Sequence, residues 1–379
     1  MYYDSKYDVN LDNGMVNFGS FARIKKAMAK AMKGEPVTVG FLGGSITQGS
    51  LSSTPETCYA YLVYRWWKES FPESRVTYIN AGIGGTPSNF GVARVDDDLL
   101  KYRPDFTVVE FSVNDSDDEH FRETYEGLVR HILKDESKTG LLLISNVRYD
   151  NMESAENQHL LVGKYYDLPH VSMKHSVYPF VANGSIPNRE ITPDDLHPND
   201  EGHKLLADLV IHMLEIIKCD VCEEDLNAEI STELPKPLTK NGYENSVRLQ
   251  NTNSKPTLYG FSEDPEPQNN ILELFKKGYT AWKKGDRIVF KTECDSVAVQ
   301  FRKSIRKPTP VARVTVDGKE EYTKILDGNF DEDWGDCIYI ETVAKHMGLG
   351  EHEVSIEIIE DHGDSDVVPF YLVAVIASR

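Results

Sequence analysis

The sequence has few of the features that cross-link a chain or place it in a membrane. Five cysteines in 379 residues are too few, and odd in number, for a disulfide scaffold, and they suit a reducing compartment. No apolar run reaches the roughly 18 residues of a membrane-spanning helix. The segment Met1–Lys6 has no basic region followed by an apolar stretch, so we predict no secretory signal and a cytoplasmic location.

Basic charge is also scarce. Lys and Arg number 41 against 61 Asp and Glu, which gives a formal net charge of −20. Such a chain repels phosphate backbones and anionic lipid, so we expect no nucleic-acid and no membrane partner. A neutral polar partner such as a carbohydrate remains compatible with this charge. The single CxxC, Cys219–Cys222, lacks the second pair that structural zinc needs, so we expect no metal and no cofactor.

The first 220 residues alternate between strand-like and helix-like periodicity. Apolar runs predict strands, and stretches with apolar residues at helical spacing separate them. This alternation indicates βαβ units, hence a parallel sheet covered on both faces: a three-layer α/β/α sandwich over residues 1–220. The predicted strands are Val37–Leu42, Arg75–Asn80, Phe106–Phe111 and Leu141–Val147, and the predicted helices are the one from Phe21, Pro55–Trp67, Asn89–Tyr102, Glu123–Lys134 and His203–Lys218.

The pattern changes after Cys219. Residues 221–256 are polar and aperiodic, which predicts a linker or wrapping segment. Residues 257–379 contain short alternating strands separated by turn signals, among them the hairpin dipeptide Asp317-Gly318. We therefore predict a smaller antiparallel β-sandwich as the second domain.

Four polar loops carry the residues suited to chemistry. They are Gly43–Thr47, Asn80–Thr86, Ser112–Asp115 and Asp194–His197. The first three follow predicted strands, and an open α/β sheet binds ligands beyond the carboxyl ends of its strands. Ser45 is a poor nucleophile unless a base removes its proton, and His197 is the natural base. Asp194, three residues before the histidine, is placed to reach the other ring nitrogen.

In this order the four loops resemble the four blocks of the SGNH, or GDSL-like, hydrolases, over residues 37–218. The resemblance implies a Ser45–His197–Asp194 triad and selects Asp194 over Asp195. It also implies an oxyanion hole made by the backbone N–H groups of Ser45 and Gly85 and by the Asn114 amide; Gly82 and Gly84 lie in the same turn as alternatives to Gly85. Two positions depart from the commonest pattern: Gly44 replaces Asp, and Ser112 replaces Gly.

Each loop alone also has an ordinary structural interpretation. The glycines before Ser45 fit a simple strand-to-helix turn, and Asn114-Asp115 fits an Asx-turn or helix cap. The acids from Asp115 to Glu119 lack the ligand spacing of a cation site, so we interpret them mainly as a solvated loop.

The loops around the predicted triad are polar, which favours a short acyl group on a polar alcohol. We therefore predict removal of O-acetyl groups from oligosaccharides.

The predicted β-sandwich resembles carbohydrate-binding modules of carbohydrate esterases, and the two-domain order resembles acetyl-mannan esterases. Trp334 with Asp333 and Asp336 fits a sugar-stacking site, and the alternative is that Trp334 packs the domain core. The competing functions are a general short-chain esterase or lysophospholipase and an inactive carbohydrate-binding protein.

Overall fold

The computed structural model of this protein describes residues 4–379. The chain divides into two compact units, Met1–Asn241 and Gly242–Arg379. The segment 221–256, predicted as a linker, contributes residues to both units. Residues 1–3, on which the prediction of no secretory signal partly depends, lie outside the described residues. In the part of the chain that is described, no helix is long and apolar enough to cross a bilayer.

The sheet of the first unit is built from the apolar runs and is mostly parallel. The strands are β1 (Met15–Asn17), β2 (Val37–Gly43), β3 (Val76–Gly82), β4 (Phe106–Glu110), β5 (Gly140–Ser145) and β6 (His170–Ser172). They run in the order β1-β6-β5-β4-β2-β3, and β1 alone pairs antiparallel, with β6. The predicted α/β/α class is confirmed, with one antiparallel edge strand added.

The longer helices of this unit, such as Ala22–Met32 and Tyr59–Ser70, bury an apolar face. In the helix Asp200–Lys218, the leucine, valine and isoleucine positions recur every three or four residues, and nearly all are buried. The helices are α1 (Ala22–Met32), α2 (Ser45–Gln48), α3 (Tyr59–Ser70), α4 (Ser88–Asp98), α5 (Glu119–Lys134), α6 (Glu156–Tyr165), α7 (Met173–Ser176), α8 (Tyr178–Ala182) and α9 (Asp200–Lys218).

The strand order creates the crevice that a site needs. From β2 the chain first adds β3 on one side and then crosses to add β4 on the other side of β2. The loops that leave the carboxyl ends of β2 and β4 therefore run in opposite directions and open a gap between them. Ser45 follows β2, and Asn114 follows β4.

The second unit consists of two antiparallel sheets. The strands are β7 (Val247–Leu249), β8 (Thr257–Tyr259), β9 (Ser262–Glu263), β10 (Tyr279–Ala281), β11 (Arg287–Cys294), β12 (Ser296–Lys303), β13 (Val311–Val316), β14 (Thr323–Asp327), β15 (Cys337–Ala344), β16 (Gly350–Glu360) and β17 (Phe370–Ser378). One sheet has the order β15-β12-β17-β10-β9, with β7 also paired to β17, and the other has the order β14-β13-β16-β11-β8. Alternate side chains of both sheets form one buried cluster, including Phe290, Val299 and Ile356.

Candidate active site

Ser45 is the first residue of α2, two residues after Gly43, where β2 ends. The turn between them is too tight for a side chain at Gly43, where a Cβ would lie 2.2 Å from Thr47 Oγ1 and 2.5 Å from the Glu110 carbonyl oxygen. The Ser45 residue is 6% exposed. The two glycines thus let the chain turn sharply and aim the hydroxyl at the crevice.

Three side chains form a continuous hydrogen-bonded row. His197 Nε2 lies 2.9 Å from Ser45 Oγ, and His197 Nδ1 lies 2.6 Å from Asp194 Oδ2. Ser45 and His197 are 152 residues apart in the sequence, so only the fold brings them together. The structure thus joins the three residues that the sequence analysis selected, whereas Asp195 pairs with Asn188 and Arg189 instead.

Asp194 is held in place by the backbone of its own turn. Its Oδ1 accepts hydrogen bonds from the N–H groups of His197, at 2.7 Å, and Leu196, at 3.1 Å. Partial burial works against the ionised form, but the hydrogen bonds from the His197 ring, His197 N–H and Leu196 N–H outweigh it and lower the pKa of Asp194 below its usual value. The carboxylate therefore stays charged beside the imidazole.

Two loops that carry predicted oxyanion donors lie close to the Ser45 turn. A Cβ at Gly84 would lie 3.6 Å from Ser45 Cβ, and one at Gly44 would lie 2.0 Å from Asn114 Oδ1, so both loops touch the serine turn. The Gly84 N–H donates to Gln48 Oε1 at 2.6 Å, and the Gly82 N–H donates to Asn80 Oδ1 at 2.9 Å. Gly85 has a positive φ of 68°, and no atom outside its own turn lies within 4 Å of the position that a Cβ would take there. The N–H groups of Gly82 and Gly84, the two alternatives to Gly85, therefore already have acceptors within the protein.

The sequence and the fold have known counterparts. Residues 41–205 match the GDSL-like Lipase/Acylhydrolase family. A crystal structure of a two-domain esterase (CEX) active on acetylated mannans, co-crystallized with mannopentaose, is 49% identical and has a TM-score of 0.93, covering 98% of this chain and 98% of that chain. A second crystal structure of a two-domain esterase (CEX) active on acetylated mannans has the same identity and TM-score, covering 98% of this chain and 99% of that one. Among curated proteins, no significant match is found.

The chain belongs to the GDSL-like lipase/acylhydrolase family. It is a carboxylic ester hydrolase, as the sequence predicted. Residue Gly44, where this GDSL-like hydrolase departs from the commonest pattern, faces the Asn114 amide, and a side chain there would occupy the space of that amide.

Sequence analysis missed the residues that brace the turns of this GDSL-like hydrolase. Asn80 Nδ2 donates to the Thr47 carbonyl oxygen at 2.8 Å, and Tyr59 Oη lies 2.8 Å from Thr47 Oγ1. Together with the Gln48–Gly84 hydrogen bond, these contacts tie the α2 turn to β3 and α3. Asn80 begins the predicted Asn80–Thr86 loop and Gln48 directly follows the Gly43–Thr47 loop, but only the fold shows which backbone groups their side chains contact.

The interpretation of the acids after Asn114 as a solvated loop is wrong for Asp115. Its side chain is buried, accepts a hydrogen bond from Ser88 N at 2.8 Å and lies 2.9 Å from His159 Nε2. Buried Glu110 likewise accepts hydrogen bonds from the N–H and hydroxyl of Ser112, at 3.1 and 3.0 Å. Carboxylates thus anchor both sides of the loop that carries Asn114.

The second unit places the predicted sugar-binding residues on an exposed loop. Trp334 is 61% exposed, so the alternative that it packs the domain core is wrong. Its indole N–H donates to Glu332, and its ring meets the Phe330 ring edge-on, with 5.1 Å between centroids. Asp333 is exposed. The Asp336 carboxylate accepts hydrogen bonds from the Ser304 hydroxyl at 2.8 Å and the Ile305 N–H at 3.1 Å. Asp336 therefore braces this loop.

Proposed function

We propose that this protein removes O-acetyl groups from manno-oligosaccharides through an acyl-enzyme formed on Ser45. The observation that carries the proposal is the row of contacts from Ser45 Oγ to His197 to Asp194, at 2.9 and 2.6 Å. A hydroxyl, an imidazole and a carboxylate in this order are the parts that nucleophilic ester cleavage requires.

In the proposed first step, Asp194 accepts the Nδ1–H of His197, which leaves Nε2 free to take the proton of Ser45. As that proton leaves, Ser45 Oγ attacks the acetyl carbonyl carbon and the carbonyl oxygen becomes negative. When the intermediate collapses, the bond to the sugar oxygen breaks, and His197 Nε2–H protonates that oxygen. The deacetylated sugar departs, and the acetyl group remains on Ser45.

In the proposed second step, water replaces the sugar. His197 Nε2 takes a proton from the water, whose oxygen attacks the acetyl carbon, and Ser45 recovers its proton as acetate leaves. In both steps the N–H groups of Ser45 and Gly85 and the Asn114 amide stabilise the negative oxygen. One such donor is typically worth about 10²–10³ in rate. No step uses a metal ion, so we expect activity to persist in excess chelator.

The choice of mannan as substrate is supported by the 49% identical esterase, which is active on acetylated mannans and was co-crystallized with mannopentaose. The net charge of −20 is compatible with a neutral sugar polymer. On the second unit, we propose that the exposed indole of Trp334, flanked by Asp333, stacks on a sugar ring while the carboxylate bonds its hydroxyls.

Acetate release from acetylated manno-oligosaccharides and acetylated xylo-oligosaccharides tests the substrate class. We expect a higher kcat/KM for the mannan-derived substrates, and a clear preference for the xylan-derived ones would overturn the proposal. A series of simple esters from acetate to octanoate provides the second arm. A rate that falls with acyl length supports an acetylesterase, and a rate that rises favours the general esterase or lysophospholipase function.

A further inference from the structure

A fully buried arginine hydrogen-bonds to the ends of β2 and β3, the strands that precede the turns of Ser45 and Gly85. Arg94 is on α4 and is 1% exposed. Its Nη1 donates to the Ala81 carbonyl oxygen at 2.8 Å, and its Nη2 donates to the Gly43 carbonyl oxygen at 3.1 Å. Nη1 also lies 3.1 Å from the Asp98 carboxylate, one helical turn further along α4.

The two carbonyl groups stand at the exits of neighbouring strands. Gly43 is the last residue of β2, two residues before Ser45, and Ala81 is the next-to-last residue of β3, four residues before Gly85. The Gly43 carbonyl oxygen also accepts a hydrogen bond from Ile83 N at 3.0 Å. One guanidinium therefore hydrogen-bonds to both backbone segments where they leave the sheet, one before the turn of Ser45 and the other before the turn of Gly85.

Packing alone does not explain a charged group at this place. Burial of the guanidinium lowers the pKa of Arg94 from its usual value, and the Asp98 carboxylate only partly offsets that effect. Apolar side chains of similar size often replace a buried ion pair without loss of stability. What the arginine adds is a planar pair of donors that meets two carbonyl groups at a set separation.

We propose that Arg94 is a positioning residue that holds the Ser45 turn and the Gly84-Gly85 turn at the separation the reaction requires. This inference rests on the proposed function, since it assumes that Ser45 is the nucleophile. Arg94 touches no reacting atom in this scheme; it acts through the peptide groups of Gly43 and Ala81.

The test compares Arg94→Met and Arg94→Lys with a matched control, Arg130→Met. Arg130 is a buried arginine on α5, and its Nη1 donates to the Pro235 carbonyl oxygen at 2.9 Å and lies 2.8 Å from Tyr166 Oη. Neither partner belongs to a loop that carries a proposed catalytic group. The measurements are kcat and KM for an acetate ester well below each variant's melting temperature, and the rate at which a serine-directed sulfonyl fluoride inactivates the enzyme.

We expect Arg94→Met to lower kcat by about 10- to 100-fold with KM changed less than about threefold, because a displacement of about 1 Å is enough for such a loss. Inactivation by the sulfonyl fluoride should slow in parallel. Arg94→Lys should recover part of kcat, because its ammonium reaches one carbonyl group but lacks the fork that meets both. Arg130→Met should lower the melting temperature and leave kcat unchanged.

Wild-type kcat in Arg94→Met, or an equal loss in Arg130→Met, would overturn the inference. If Arg94→Met does not fold, Arg94→Lys decides, and wild-type kcat in that variant contradicts the role. Ser45→Ala separates this inference from the proposed function. Activity retained in Ser45→Ala refutes the nucleophile, whereas an inactive Ser45→Ala beside unaffected Arg94 variants refutes only the positioning role.

Discussion

Gly44 and Asn114 compete for one small space beside Ser45. A Cβ at Gly44 would lie 2.0 Å from Asn114 Oδ1, closer than any stable non-bonded contact. The φ of Gly44, −86°, is outside the left-handed region, and the contact that restricts position 44 is the one with the neighbouring Asn114 amide. The absence of a side chain at position 44 is therefore part of how this protein places the Asn114 side chain.

Gly44→Ala should displace the Asn114 amide and lower kcat by up to about 10²–10³-fold, the usual effect of losing one oxyanion donor. Stability should change little, because the Asn114 side chain can move aside. The measurement is kcat and thermal unfolding, with Gly350→Ala as control, where the nearest atom to the new Cβ is 3.9 Å away. Unchanged kcat in Gly44→Ala would remove Asn114 from the proposed mechanism.

The start of α9 positions the residues that follow His197. Asn199 caps this helix, since its side chain accepts hydrogen bonds from the N–H groups of Glu201 and Gly202, both at 3.1 Å. The next residue, Asp200, accepts hydrogen bonds from the backbone and hydroxyl of Ser53 at 2.7 and 2.6 Å. The helix thus ties the loop after the serine turn to the segment that carries His197.

Asn199→Ala should lower the free energy of unfolding by about 1 kcal/mol, because two N–H groups at the helix start lose their acceptor. Urea denaturation measures this loss. Asn199→Asp is the matched control and should retain the wild-type stability, since a carboxylate caps as well as an amide. Equal stability of the alanine and aspartate variants would show that the cap contributes nothing.

Sequence periodicity predicted the strands that are unbroken runs of buried apolar residues. It missed the elements that are stabilised by contacts with residues distant in the sequence. Strands β2, β4 and β5 are apolar runs and lie within one or two residues of the predicted bounds. The three-residue strand β6 begins with His170, which hydrogen-bonds to Ser145 at 2.8 Å, a contact that no local pattern contains. Helices α5 and α9 begin earlier than predicted, because their polar first turns are capped by Asp118 and Asn199.

At the active site too, the sequence predicts residues that lie in a local pattern and misses those defined by distant contacts. The order of the motifs singled out Ser45, Asn114, Asp194 and His197, since each lies in a short loop with a recognisable composition. Arg94 was missed because an arginine on an amphipathic helix usually faces solvent, and only the fold shows it bonded to the ends of two strands.

At the scale of the whole molecule, one buried acid couples stability to pH. Burial raises the pKa of Glu110 to about 7, although hydrogen bonds from Ser112 oppose the shift. Unfolding exposes this carboxyl to water, where its pKa returns to about 4.5. The folded state therefore favours the protonated form, so this contribution to stability is complete below about pH 4.5 and is lost as pH rises to about 7.

Glu110→Gln should remove this pH dependence, because the amide keeps an acceptor for Ser112 and carries no charge. Relative to the wild type, the variant should gain stability between about pH 4 and pH 8, by at most about 3 kcal/mol. Denaturation of both proteins across this range measures the difference. A difference that stays constant with pH would show that Glu110 does not titrate in this interval.

In the proposed reaction, one hydroxyl, on Ser45, carries the acetyl group between sugar and water. The most direct test is the rate of acetate release from acetylated manno-oligosaccharides by Ser45→Ala, with the wild type at the same concentration and with folding checked by thermal unfolding. We predict a loss on the order of 10⁴- to 10⁶-fold in kcat, as expected when a triad loses its nucleophile. Acetate release at the wild-type rate by the folded variant would contradict the account.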